Sequence, residues 1–161
     1  MKNNRKAIYN ALLASLQTII SGQTPPVQTV SRIWRPHTDY TAPQLPAIML
    51  DERKETATVE SLAAAPLYNL YVDLWIYLQA PVVSQIPGEE TIVPMDALDD
   101  MLDLLENSPL ANPPKNGMPY NTLGGLVIHS WIAGDILKTA GVGSSQLLYS
   151  IARVPIVIFT T

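Results

Sequence analysis

The chain has 161 residues, 47% of them apolar, with a mean hydropathy of +0.13 and a formal net charge of −4. That composition excludes a disordered tail and suits one domain able to bury its own core. Cysteine is absent, which excludes disulfides, thiolate metal sites and thiol nucleophiles. No apolar run reaches the roughly 18 residues that span a bilayer. Met1-Lys2-Asn3-Asn4 leads into a helical pattern with no signal-peptide core. The expectation is a single domain over 1–161, soluble and made in a reducing cytoplasm, with no membrane partner. Charge is segregated: residues 1–35 carry five cations and no acid, while residues 73–106 carry eight acids and no cation. Polarised charge of this kind orients association between molecules.

In chain order, Ile8, Leu12, Leu16, Ile19 and Ile20 recur at helical steps and predict an amphipathic helix, capped by Asn3 or Asn4 and stopped near Gly22. Val27 to Arg35 reads as a strand with Val30, Arg32 and Trp34 on one side. Pro36 to Pro46 is a loop, Ala47 to Leu50 a short strand, and Asp51 to Glu60 a polar strand end, turn or loop. Leu67 to Ala80 alternates without a break, which predicts a long strand. Its second face (Tyr71, Asp73, Trp75, Tyr77) is partly aromatic, as a face covered by a further layer or a partner would be.

Pro81 to Pro94 reads as a loop and Asp96 to Asn107 as a second amphipathic helix, acidic outside and with Leu98, Met101, Leu102 and Leu105 inside. Ser108 to Asn121 is a proline-rich loop, long enough to suggest a function. Its Pro109, Pro113, Pro114, Lys115 and Pro119 are candidate partner-docking residues. The C-terminal third predicts a large hairpin, with arms Leu123–Leu137 and Gln146–Phe159 and a turn over Lys138–Ser145. Pro155 lacks the N–H that a central strand uses, so the last arm is expected at a sheet edge. The fold class is α+β: an antiparallel sheet of about five strands packed on two helices, ending in a long hairpin.

The search for chemistry is negative. His37 and His129 have no partners at metal-ligand spacing, no serine sits in a GxSxG elbow, and no glycine cluster forms a phosphate cradle. The reading is no enzyme, no cofactor and no metal. Arg32 and Trp34 on one strand side form a possible nucleic-acid stacking platform. With a pI of about 5.0, the alternative of a core Trp34 and acid-paired arginines fits better.

Taken together, the order of Arg5–Ser21, Val30–Trp34, Leu45–Leu50, Tyr68–Gln79, Asp96–Glu106 and the pair Gly124–Ile136 with Leu147–Phe159 resembles the tail terminator, or tail completion, proteins of long-tailed bacteriophages. The resemblance covers nearly the whole chain. It implies a structural virion protein: a homo-oligomeric ring, usually a hexamer, capping the head-proximal end of the tail tube and joining it to neck or connector proteins. It further implies that DNA is only passing cargo, and that the protein is in host cytoplasm during assembly and in the virion tail afterwards. Other neck (head-completion) ring proteins share these features. A different class also stands: a soluble accessory or small-molecule-binding α+β domain. The candidate subunit interface combines basic Lys2, Arg5 and Lys6 with acidic Asp99, Asp100 and Asp103 of a neighbour. The uncharged edge carrying Val154, Ile156 and Ile158 completes it.

Overall fold

The structure is a computed structural model and describes residues 4–59, 64–79, 89–111, 120–144 and 147–161. Helix α1 (Arg5–Ile19) starts where the Asn4 side chain accepts the Lys6 N–H at 2.8 Å, a direct N-cap. Strands β1 (Thr29–Ser31), β2 (Ala47–Thr58) and β3 (Leu67–Gln79) follow, then helix α2 (Glu89–Glu106) and strands β4 (His129–Ile132), β5 (Leu137–Ser144) and β6 (Leu147–Thr160). They form one six-stranded sheet in the order β1-β2-β3-β6-β4, with β5 also on β6. The α+β class, the two helices and the C-terminal hairpin agree with the sequence reading.

Period-two alternation decides how the layers stack. The register sets Leu50 opposite Leu74 and Leu74 opposite Val154, so one face is a continuous apolar surface. Leu70 to Leu78 and Ala152 to Ile158, taken every second residue, are buried on it against Ile8, Leu12 and Leu16 of α1 and Leu98, Met101 and Leu105 of α2. We call this the helix face. The second face has a smaller cluster of its own, in which Tyr40 and Leu45 from the β1–β2 connection cover Ala47, Met49, Tyr77 and Tyr149.

Several expectations are corrected. The sheet is mixed, because β1 runs parallel to β2. The chain between them crosses the second face through two short 3-10 turns instead of turning back. The strand expected over Val27–Arg35 has only three residues, whereas β2 continues through polar Asp51–Thr58 because β3 offers a partner for that length. Helix α2 begins at Glu89, not Asp96, and runs through Pro94. The predicted turn Lys138–Ser145 is largely strand β5, whose glycines are tolerated at an outer edge with a register shift between Thr139 and Val142.

The largest correction concerns the last arm. Strand β6 is not an edge: it lies between β3 on one side and β4 with β5 on the other. Val154, Ile156 and Ile158 are accordingly core side chains on the helix face, not an exposed interface. Pro155 fits a central strand because of where its missing donor points. Its carbonyl accepts the Ala133 N–H at 2.9 Å, so its nitrogen faces the same side. There the neighbouring chain is interrupted between β4 and β5, at Gly134 with φ +112°. That φ favours glycine. No ladder bond to β3 is lost.

Among the described residues, edge without a strand partner includes the outer side of β1, β2 beyond Met49 and the outer side of β5. The β2 edge carries charges and a bulge, which discourage indiscriminate pairing. Removing side-chain volume at the sheet centre should be costly. Leu74→Ala is expected to lower unfolding stability by about 2–5 kcal/mol, while Ile33→Ala, at an exposed loop position, stays within about 0.5 kcal/mol. Urea denaturation of the two variants reads both values.

Candidate functional site

The second face of the sheet is where the chain places chemistry that its own core does not need. Its covered end is closed by aromatic packing. The Tyr77 hydroxyl donates to the Arg35 carbonyl at 2.9 Å, and burial pushes its pKa up to about 12. Trp34, still 40% exposed, leans on Trp75 with ring centroids 5.7 Å apart. Beyond Trp75 the described residues add no covering layer.

There the face carries a charge cluster built by local backbone geometry. A β-bulge between Glu52 and Lys54 inserts Arg53, so alternation is broken and two consecutive cations, Arg53 and Lys54, reach the same face. Lys54 Nζ sits 4.6 Å above the Tyr71 ring. Arg53 Nη1 lies 3.3 Å from Asp51 Oδ2 and 3.4 Å from Asp73 Oδ2. From the other side Arg153 Nε reaches the same Asp73 oxygen at 2.8 Å, without the alignment of a hydrogen bond. Asp73 is 4% exposed, whereas the side chains of Arg53 and Arg153 are 50% and 35% exposed. One buried carboxylate therefore holds two guanidinium groups at the surface. They border a cleft of about 310 Å³ walled by Tyr71, Pro155 and Val157.

Burial raises the Asp73 pKa, and Arg153 and then Arg53 oppose that rise without cancelling it. Asp51, directly across the strand pair, adds like-charge repulsion. Charged Asp73 is thus kept at a cost to stability. At the far end, His129 stacks on Trp131 at 5.0 Å with Tyr120 at its edge. Burial lowers the His129 pKa, opposed by the Asn121 backbone.

The residues singled out from the sequence fall elsewhere. Arg5 is engaged by Glu55 of its own chain through two hydrogen bonds, so it is not a free cation. Lys6 is exposed, and Lys2 lies outside the described residues. Asp99 pairs with Lys138 of the same chain at 2.7 Å. Asp100 and Asp103 are exposed on α2 and make no ion pair within the described chain. Pro109 is half-buried at the start of the expected docking loop, whose Leu110 carbonyl accepts the Ile132 N–H; Pro113, Pro114, Lys115 and Pro119 lie outside the described residues. Arg32 lies just past β1, over the Tyr9 ring and on Glu52, away from Trp34's contact with Trp75. The stacking platform is therefore not assembled. Arg53, Lys54, Asp73 and Arg153 were not singled out for function; the acid among aromatics on one strand face was their only signal.

Among the described residues, no three His, Asp or Glu side chains converge as a metal site would need, and no helix is long and apolar enough to cross a membrane. No family model and no curated protein sequence matches the chain.

The raised Asp73 pKa makes a signed prediction. A group with a raised folded pKa contributes stability that is present below its unfolded pKa and lost as pH rises through the folded value. Asp73→Asn keeps the shape and removes the charge. It should be at least as stable as wild type at pH 7, with its advantage shrinking as acid protonates Asp73. Urea melts across that range would contradict this if the variant were clearly weaker at pH 7.

Proposed function

We propose that this chain is a structural ring subunit of a long-tailed bacteriophage, a tail terminator that caps the head-proximal end of the tail tube. The observation that carries the reading is the second sheet face. Beyond its covered end this face presents Tyr71, Arg53 and Arg153 around a cleft, with Trp34 exposed nearby, and no further layer lies over that part among the described residues. Trp, Tyr and Arg are the residues enriched in protein–protein hot spots. The order of elements, which resembles that family, supports it further.

In this reading the protein acts by shape and adhesion. Subunits close into a ring, one rim meets the tail tube protein, and the other meets neck or connector proteins, with DNA passing through. The long strands give stiffness, since the fourteen residues of β6 extend about 43 Å. Against a globule roughly 40 Å across for a chain this long, β6 spans the whole domain.

Electron microscopy of the purified protein, paired with mass measurement in solution, tests the reading. Closed rings, most simply hexamers, that bind one end of tail tubes are expected. A protein that stays monomeric at high concentration and ignores tube ends would sink it.

A further inference from the structure

Resting on that ring reading, we infer which surfaces meet: the cleft bordered by Arg53, Lys54 and Arg153 receives the acidic outer side of α2 from the next copy. The chemistry of the two surfaces is complementary. On α2, Asp96, Asp100 and Asp103 follow at four- and three-residue steps, which aligns them along one exposed line. Leu104, four residues after Asp100, is 39% exposed beside these acids, an apolar side chain outside the core cluster. The cleft offers the matching features, with apolar walls from Tyr71, Pro155 and Val157 and cations at its border. Leu104 of one copy fills the cleft of the next, while Asp100 and Asp103 meet Arg53 and Lys54.

Placement dictates the symmetry. α2 packs on the helix face, through Leu98, Met101 and Leu105, and Asp96, Asp100 and Asp103 are exposed. The arginines stand on the opposite face. Donor and acceptor surfaces therefore look in opposite directions across two layers. A two-fold dimer would need both contacts at once on a single facing side, and no such side exists. The contact must be head-to-tail, which closes into a ring when its rotation divides a full turn. Apolar burial holds the joint, and the charges choose its orientation.

Charge exchange tests the pairing. Arg53→Glu with Lys54→Glu makes the cleft acidic, and Asp100→Lys with Asp103→Lys makes the helix basic. All four positions are exposed, and Arg153 stays paired with Asp73 when Arg53 is replaced, so circular dichroism should show both variants folded. Each alone should lose self-association by about a hundredfold or more, since like charges then face each other. Mixing them restores complementarity at every joint, and rings of alternating variants should reappear. Wild-type rings together with unimpaired rings of either variant would overturn the pairing and leave the ring reading standing. Loss in both variants without rescue on mixing would overturn it too. A wild type that never forms rings would remove both.

Discussion

The antiparallel pairing of β3 with β6 governs the rest of the molecule. With Leu74 opposite Val154, every second residue of both strands goes under the helices, and the residues between them are committed to the other face. Once the apolar set is buried, Asp73, Trp75 and Arg153 have no alternative position. A slip of one residue would bury Asp73 beneath α2 and expose Leu74. The hydrophobic term that stabilises the fold thus also fixes the chemistry of the second face.

On that face Asp73 is buried beside Asp51, and burial raises its pKa. Its compensation is two arginines, of which half and a third of the side chains remain accessible. In the proposed ring, a carboxylate that already orders the guanidinium groups reduces the rotamer entropy lost at the joint. The bulge at Arg53 acts to the same end, since a regular strand would turn Lys54 toward α1 and α2.

Where side-chain period alone decides structure, the sequence was legible. Strand β3, the inner face of α2 and most of α1 follow from alternation or helical spacing. The failures share a cause: they depend on partners distant in sequence. Asp51–Glu60 stayed open between strand end, turn and loop because its polar residues make sense only as an edge against β3. Pro155 looked like an edge residue because nothing local reveals the gap between β4 and β5 that receives its missing donor. Arg5 looked free until Glu55, fifty positions on, came beside it. The site suffered most, since a bulge leaves no composition signal and Arg53, Lys54, Asp73 and Arg153 come from three separate strands.

In the proposed ring, the outer side of α2 meets the second sheet face of the next copy. Zero-length carbodiimide cross-linking, which joins an amine to a carboxylate in contact, addresses it directly on an equal mixture of light and heavy isotope-labelled protein. The account predicts light–heavy peptides joining Lys54 to Asp100 or Asp103. Rings in which Lys54 stays unlinked, while Lys6 links to α2 of the neighbour, would contradict it.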